Sequence, residues 1–239
     1  RDIDKMYVIL PFEKKFYEDK HHFPVEFVGH PLIDAIYNQP IVDPVLFRKE
    51  NQLNDKPIIA ILPGSRKQEI TKMLAVMLSV VNDFPDHQFV IAGAPSQEFS
   101  FYQKFITQEN IKFISNKAYD LLRNATAALV TSGTATLETA LFKVPEVVCY
   151  KGSWASYQIA KRIITLKYIS LVNLIMDEEV VTELIQEECN TKRIREELQK
   201  TLKTNDRNTL LEKYALLEEK LGQIGASEKT ATLIVNDLK

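Results

Sequence analysis

The stretch PIIAILPGSR at residues 57–66 joins an apolar run to a glycine, and it decides the fold of this chain. An apolar run of this length that stops at glycine predicts a buried strand entering a tight turn. Apolar side chains then recur at helical spacing: Ile70, Met73, Leu74, Met77, Leu78 and Val81. Ser65, with Gln68 three positions later, predicts a capping box at the start of this helix.

The same order of apolar run and helical pattern repeats downstream. The runs are QFVIAG at 88–93, IKFI at 111–114, AALVTSG at 127–133 and EVVCY at 146–150. Short strands that alternate with helices are typical of a parallel sheet with crossover helices. The sequence therefore predicts an α/β fold, a Rossmann-like parallel sheet with helices on both faces.

Shifts in composition divide the chain into four segments. Two apolar runs with one helical pattern between them predict a separate βαβ unit in residues 1–37, and the proline-containing stretch 38–55 predicts a linker. Residues 56–190 carry the predicted Rossmann-like domain. Residues 191–239 are charged and show no strand pattern, so we expect C-terminal surface helices there.

Composition narrows the classes of function. The 239 residues carry 30 basic and 32 acidic side chains, a formal net charge of −2, which gives no bulk electrostatic basis for binding nucleic acid. Cys149 and Cys189 form no CxxC pair, and the four histidines lack the spacing of metal ligands. No apolar run reaches the roughly 18 residues that cross a bilayer. We therefore predict neither a metal site nor a membrane span.

The turn at Gly64, Ser65 and Arg66 carries groups that suit an anion. Unpaired amides at the helix start, a hydroxyl and a guanidinium would converge on one point, as a phosphate requires. A cation beside a helix N-terminus is unfavourable by about 0.3–1 kcal/mol unless an anion joins it. Arg66 could alternatively be a solvated first-turn residue.

A second turn of the same kind contains Ser132, Gly133, Thr134 and Ala135. It again follows a predicted strand and precedes a helix whose first amides have no partner within the helix, so it predicts a second anion site. Glu138 lies about one turn further on. It could accept hydrogen bonds from sugar hydroxyls, or it could complement the helix dipole.

Familiar nucleotide and catalytic motifs do not occur. The sequence contains neither GxGxxG, nor GxxxxGK[ST], nor GxSxG. Gly93 follows a predicted strand as Gly64 and Gly133 do, and glycine at such a position either admits a ligand or simply makes the turn. His30, in the tripeptide GHP, is typical of a turn or packing histidine.

A segment rich in aromatic and basic residues follows EVVCY. Its apolar positions fit an amphipathic helix, and core packing accounts for most of them. Trp154, Lys161, Arg162 and Lys167 could alternatively form a surface that contacts anionic lipid head groups.

Several motifs occur in a defined order along most of the chain. They are LPFEKKFYE at 10–18, VEFVGHPL at 25–32, LPGSRKQEI at 62–70, TSGTATLETAL at 131–141, KYISLVNLI at 167–175 and ELIQEEC at 183–189. On these motifs the chain resembles the C-terminal part of the lipid-A-disaccharide synthases, which are inverting glycosyltransferases of the GT-B architecture. The resemblance has no motif support beyond about Lys192.

The resemblance implies a hexosyltransferase of lipid A biosynthesis in Gram-negative bacteria. Such an enzyme transfers 2,3-diacylglucosamine from its UDP-sugar donor to 2,3-diacylglucosamine 1-phosphate and releases UDP, without a cofactor. It would work in the cytoplasm. Its lipid substrates imply a peripheral association with the cytoplasmic face of the inner membrane.

The resemblance also assigns binding roles. The two turns already described would hold the pyrophosphate, and Glu138 would bind the ribose hydroxyls. The backbone at Phe113 and Ile114 would contact the uracil edge. Asn173 and Gln186 match family positions near the cleft.

By the same resemblance, residues 1–37 are the last βαβ unit of an N-terminal acceptor domain, and the rest of that domain would supply the general base. We therefore expect the chain by itself to bind UDP and to turn over little or not at all. The final helices would pack back on the N-terminal unit. Two alternatives remain, a UDP-N-acetylglucosamine 2-epimerase of the same plan and a non-catalytic nucleotide-binding module.

Overall fold

The computed structural model describes residues 2–152 and 167–238, which form two compact units. The first unit contains residues 1–40 and 213–239, and the second contains residues 41–212. The elements run in the following order: β1 (Tyr7–Val8), α1 (Pro11–His21), β2 (Glu26–Phe27), α2 (Pro31–Tyr37), α3 (Pro44–Glu50), β3 (Ile58–Leu62), α4 (Lys67–Leu78), a 3-10 turn (Val81–Asp83), β4 (Gln88–Gly93), α5 (Phe99–Gln103), β5 (Ile111–Ser115), α6 (Ala118–Asn124), β6 (Ala125–Thr131), α7 (Thr134–Leu141), β7 (Glu146–Tyr150), α8 (Leu171–Met176), β8 (Thr182–Ile185), a second 3-10 turn (Gln186–Glu188), α9 (Thr191–Thr201), α10 (Thr204–Leu221) and α11 (Ala226–Asp237).

The second unit is built on a six-stranded parallel sheet with the order β5-β4-β3-β6-β7-β8. Counted from β3, this order is 3-2-1-4-5-6, that of the doubly wound nucleotide-binding fold. The chain leaves β3 toward β4 on one side and resumes at β6 on the other. The switch point of the topology therefore lies between β3 and β6, and the predicted α/β fold class is confirmed.

Helices cover both faces of this sheet. Ile59 of β3 packs in one core cluster with Ile70 of α4 and Ile194 of α9. Its neighbour Ile58 points to the opposite face and packs in a second cluster with Phe47 of α3. Because both faces are covered, every residue of β3 is buried and the strand is apolar throughout rather than alternating.

The predicted linker at residues 38–55 is wrong in part, because it contains α3. Phe47 of this helix is fully buried in the second unit. The carboxylate of Asp43 caps the helix by accepting hydrogen bonds from the amides of Val45 and Leu46, both at 2.9 Å. Pro44 takes the first helical position, where proline is favoured, although it suggested a loop in the sequence.

The boundary predicted at residue 191 also differs from the structure. The apolar side of α9 packs on the sheet through Ile194 and Leu198, so this helix belongs to the second unit. The sheet also has a sixth strand, β8, which was not predicted because its four residues give too short a periodic pattern.

In the first unit, β1 and β2 pair in parallel around α1, which confirms the predicted βαβ unit. The carboxylate of Asp34 accepts hydrogen bonds from the amides of Gly225 and Ser227 at the start of α11, at 2.6 and 2.9 Å. These backbone hydrogen bonds lower the pKa of Asp34, so the cap stays ionised. The final helix is thus joined to the N-terminal residues of the same unit.

His30, which the sequence indicates as a turn or packing histidine, is the N-cap of α2. Its Nδ1 accepts a hydrogen bond of 3.1 Å from the amide of Leu32 at the first turn of α2. Burial lowers the pKa of His30, which keeps the imidazole neutral and able to accept this bond.

Candidate functional site

A cavity of about 500 Å³ opens at the carboxyl ends of β3, β4 and β6, at the switch point of the second unit. Two loops form its walls: the Gly64 loop, residues 63–66, and the Gly133 loop, residues 132–135. The rest of the lining comes from Ala92–Pro95 at the end of β4, Ala118 of α6, Leu62, Glu69 and Thr131. Ligands of open α/β sheets collect at this place because the loops there diverge and leave a crevice.

The Gly64 loop has a conformation that requires glycine. Gly64 has a φ of +98°, and a Cβ atom at this position would overlap the side chain of Glu69. The Glu69 carboxylate accepts a hydrogen bond of 3.2 Å from the amide of Ser65. A carboxylate of the protein therefore occupies a donor that an anionic ligand would use.

The predicted capping box of Ser65 and Gln68 is wrong. Helix α4 begins at Lys67, its N-cap is Arg66, and the Arg66 side chain makes no cap hydrogen bond. Glu69, one position beyond Gln68, reaches back to the loop instead. Arg66 is exposed, lines the cavity and has no carboxylate within ion-pair distance among the described residues. Its guanidinium is available to an anion.

The Gly133 loop presents the start of α7, whose N-cap is Gly133. The amides of Thr134 and Ala135 lie in the first turn, where no intrahelical acceptor exists. Two hydroxyls of the loop region bond within the protein. Ser132 donates to the carbonyl of Ile169 at 2.8 Å, and Thr136 donates to the carbonyl of Gly133 at 2.8 Å.

These hydrogen bonds change the role expected for Ser132. The residue lines the cavity, but its hydroxyl proton is committed to Ile169, so it cannot also be donated to a phosphate. The groups of this loop that remain available to an anion are the helix-start amides and the side chain of Thr134, which is exposed.

Glu138 lies in the second turn of α7 and is half-buried. Its Oε1 accepts a hydrogen bond of 3.0 Å from the hydroxyl of Tyr119, which follows the lining residue Ala118. Burial raises the pKa of Glu138, with the hydrogen bond from Tyr119 opposing this shift. Glu138 is not among the residues that line the cavity, so its contact with a ribose stays a prediction.

Phe113 and Ile114 lie in β5, which forms one edge of the sheet. On the outer side of an edge strand alternate backbone groups have no strand partner, which suits the predicted contact with a base. The Phe113 ring fills the space above Gly93, where a Cβ would overlap it, and packs on Tyr102 at 4.8 Å between centroids. The missing side chain of Gly93 therefore serves packing in addition to lining the cavity.

Asn173 is fully buried, and the structure contradicts its predicted contact with substrate. Its Oδ1 accepts from the amides of Val180 and Val181 at 2.8 and 3.0 Å. Its Nδ2 donates to the Val181 carbonyl at 2.8 Å and to Glu183 at 2.9 Å. Because both donors and both acceptor positions are used, Asn173 joins α8 to β8 and has no group left for a ligand.

Gln186 follows β8 with a φ of +52°. Its Nε2 is buried and has no hydrogen-bond partner among the residues that the structure describes. A contact with substrate thus stays a prediction for Gln186.

Two of the sequence predictions concern membranes. Trp154, Lys161 and Arg162 lie outside the described residues, whereas Lys167 is exposed and its ammonium lies 3.9 Å from the Asp177 carboxylate. Across residues 2–152 and 167–238, no helix combines the length and the apolar character needed to span a bilayer. The same described ranges contain no group of three or more His, Cys, Asp or Glu side chains placed to bind a metal ion.

Sequence reasoning missed two residues of the site. Glu69 carried a signal, since an acidic residue at the third position of a helix often reaches back to the preceding backbone. Tyr119 carried none, because its contact with Glu138 joins α6 to α7 across 19 residues of sequence.

The sheet order and the crevice at its switch point define a class, the doubly wound Rossmann-like domains. Solved structures share this fold. The UDP co-structure of MnaA from S. aureus has a TM-score of 0.67 at 15% identity and covers 98% of this chain and 61% of that one. WaaG, a glycosyltransferase involved in lipopolysaccharide biosynthesis, has a TM-score of 0.57 at 16% identity, with coverages of 96% and 62%. Such identities establish the fold alone.

Within this class the chain belongs to the lipid-A-disaccharide synthetase family, whose model matches residues 1–235. The lipid-A-disaccharide synthase of Syntrophus aciditrophicus is 37% identical over 245 residues, which cover 99% of this chain and 63% of the relative. That of Idiomarina loihiensis is 37% identical over 246 residues, with coverages of 97% and 62%. The chain thus spans less than two thirds of the length of these relatives.

Proposed function

We propose that this chain supplies the donor site of a lipid-A-disaccharide synthase. The enzyme would transfer 2,3-diacylglucosamine from UDP-2,3-diacylglucosamine to 2,3-diacylglucosamine 1-phosphate, giving a β-1,6-linked disaccharide 1-phosphate and UDP. Membership of the family supports this reaction. The observation that carries it is the cavity at the switch point, where Arg66 and the start of α7 face one space.

In the proposed reaction a hydroxyl oxygen of the acceptor attacks the anomeric carbon of the donor. The bond from that carbon to the UDP oxygen breaks, and the hydroxyl proton passes to a general base. Negative charge then develops on the departing diphosphate. The Arg66 guanidinium and the amides of Thr134 and Ala135 would stabilise this charge, because donors fixed in advance need no reorganisation during the reaction.

The general base and most of the acceptor site would come from the part of the relatives that this chain does not span. Because the donor is a nucleotide sugar and the substrates are lipids, the proposed enzyme would act at the cytoplasmic face of the inner membrane, with peripheral association. Solved UDP-N-acetylglucosamine 2-epimerases share the fold at 13–16% identity, and a likeness at this level assigns no activity to this chain.

Calorimetric titration tests the donor site. We expect UDP to bind the chain, UMP to bind about tenfold more weakly because it lacks the second phosphate, and NAD not to bind. Equal affinity for UDP and UMP would show that the loops do not recognise a diphosphate. Absence of UDP binding would remove the basis of the proposal.

Release of UDP from the diacylated donor, followed with and without acceptor, separates a transferase from a non-catalytic nucleotide-binding module. For this chain alone we expect donor binding with little acceptor-dependent release. An acceptor-independent epimerisation of the donor would instead favour the epimerase alternative.

A further inference from the structure

Thr131 carries a buried hydroxyl that has no hydrogen-bond partner in the described part of the chain. It is the last residue of β6 and is only 3% exposed. Its Oγ1 makes no hydrogen bond with any residue that the structure describes. A buried hydroxyl without a partner is unfavourable, because it has lost its hydrogen bonds to water and gained none in return. Such groups are rare in folded proteins, so this one requires an explanation.

The position of Thr131 in the sheet supplies that explanation. Strand β6 pairs with β3 so that Val130 lies opposite Leu62, the last residue of β3. Thr131 therefore lies at the level where both strands end and the two loops of the cavity begin. Thr131 is also one of the residues that line this cavity. The unpaired hydroxyl thus belongs to the wall of the cavity at the switch point.

The alternation of side chains along β6 shows which face of the sheet Thr131 occupies. Leu129 packs in the core cluster that contains Ile70 of α4, whereas Val130 packs in the cluster on the opposite face. Residues two positions apart in a strand share a face. The side chain of Thr131 is therefore on the face that α4 covers, and α4 is the helix whose N-cap is Arg66.

The other available groups of this cavity are hydrogen-bond donors. They are the amides at the start of α7 and the guanidinium of Arg66. The lining carboxylate of Glu69 already accepts a hydrogen bond from the amide of Ser65. A ligand that satisfies these donors presents several acceptor oxygens, as a diphosphate does. A hydroxyl in the same wall would donate to such a ligand as well.

We propose that Thr131 is a binding residue for the nucleoside diphosphate, and that its hydroxyl donates to a non-bridging phosphate oxygen. This inference rests on the proposed function and adds a side chain to the site. Two nearby hydroxyls are already used, since Ser132 donates to the carbonyl of Ile169 and Thr136 donates to that of Gly133. Of these three hydroxyls, that of Thr131 is the one left for a ligand.

Replacement by valine tests this role, because valine keeps nearly the shape of threonine and removes the hydroxyl. We expect Thr131→Val to bind UDP about five- to tenfold more weakly in calorimetry, because a hydrogen bond to a charged group is lost. Without ligand the variant should melt about 2 °C higher, because a buried group without a partner is gone. A lower melting temperature with unchanged UDP affinity would assign the hydroxyl to the fold and overturn the proposal.

Two further variants serve as controls. Thr139 is also fully buried, but its hydroxyl donates to the carbonyl of Ala135 at 2.7 Å. Thr139→Val should therefore lower the melting temperature and leave UDP affinity within about twofold of the parent. Thr131→Ser restores the hydroxyl and should also bind UDP within about twofold of the parent. If it binds as weakly as Thr131→Val, the methyl group and not the hydroxyl determines the affinity, and the proposal is wrong.

Smaller ligands identify the part of UDP that Thr131 contacts. Inorganic pyrophosphate should show the same proportional loss in Thr131→Val as UDP does. A loss of the same size with uridine, which has no phosphate, would contradict the phosphate contact. The outcomes for the two proposals are distinct. A parent chain that does not bind UDP contradicts the donor site and Thr131 together, whereas equal binding of UDP by the parent and Thr131→Val contradicts the Thr131 contact alone.

Discussion

The Gly64 loop and the Gly133 loop have the same plan and differ in what they leave open. Both connect the carboxyl end of a buried strand to a helix. Both also line the cavity at the switch point, which we propose binds the donor and call the donor cavity. In the Gly64 loop the Ser65 amide is bound by Glu69, and the exposed Arg66 supplies positive charge. In the Gly133 loop the hydroxyl of Ser132 donates to the carbonyl of Ile169, and the amides at the start of α7 remain available to a ligand.

This difference suggests a division of work between the loops. The Gly64 loop would contribute a side-chain cation whose effect depends on screening, whereas the Gly133 loop would contribute fixed backbone dipoles. Substitutions in the two loops should therefore have different consequences for affinity and for stability.

Replacing the cation should have the largest effect. We expect Arg66→Ala to weaken UDP binding by at least about tenfold, close to 1.4 kcal/mol, measured by calorimetry. The matched control is Lys67→Ala, because its cation lies over the Phe101 ring and outside the donor cavity. That variant should lose less than about twofold. Equal losses in both would mean that only net charge matters.

Substitution of the two loop serines should affect different properties, UDP affinity for Ser65 and stability for Ser132. Ser65→Ala should weaken UDP binding by about three- to fivefold without changing the melting temperature, because the exposed hydroxyl serves only the ligand. Ser132→Ala should lower the free energy of unfolding by about 0.5–1.5 kcal/mol through loss of the bond to Ile169. Its UDP affinity should stay within about twofold of the parent. A reversed pattern would contradict the assignment of the two hydroxyls.

Glu69→Gln should strengthen UDP binding by about threefold. The Glu69 carboxylate lines the cavity, and two like charges about 4 Å apart in water repel each other by about 1 kcal/mol. The gain should shrink at high salt, where repulsion is screened. Glu98→Gln, which removes an exposed carboxylate outside the cavity, serves as the control. Weaker binding in the Glu69 variant would instead assign this carboxylate a contact with the ligand.

The smallest effect concerns Glu138, behind the Gly133 loop. Because burial raises its pKa, the folded chain holds this proton more firmly than the unfolded chain, and stability is lost as the pH rises through the folded pKa. Gln does not ionise and can still accept from Tyr119. We therefore expect the melting temperature of Glu138→Gln to exceed that of the parent at about pH 7 and to match it at about pH 4.

UDP affinity of the same variant provides the functional half of this test. A neutral amide is a weaker acceptor for ribose hydroxyls, so we expect a loss of about twofold. A stability difference that does not depend on pH would show that Glu138 is uncharged or equally solvated in both states.

The sequence by itself determined five of the six strands of the sheet, β3 to β7, and the turns at Gly64 and Gly133 that follow two of them. Apolar runs such as QFVIAG fix a strand because their length and flanking glycine are local properties, and Gln88–Gly93 forms that strand in the structure. The carboxyl ends of parallel strands lie at one edge of the sheet, so Gly64 and Gly133 were expected at the same edge, and the pairing of β3 with β6 makes them neighbours.

Only the tertiary structure decided which polar groups of the site remain available. The sequence motif predicted a ligand contact for Asn173, whereas in the folded chain its side chain makes four hydrogen bonds to residues 180–183. The hydroxyl of Ser132 meets the carbonyl of Ile169 across 37 residues of sequence, and the hydroxyl of Tyr119 meets the carboxylate of Glu138 across 19. Local periodicity specifies secondary structure, whereas hydrogen-bond partners distant in sequence depend on how the elements pack, which no single segment contains.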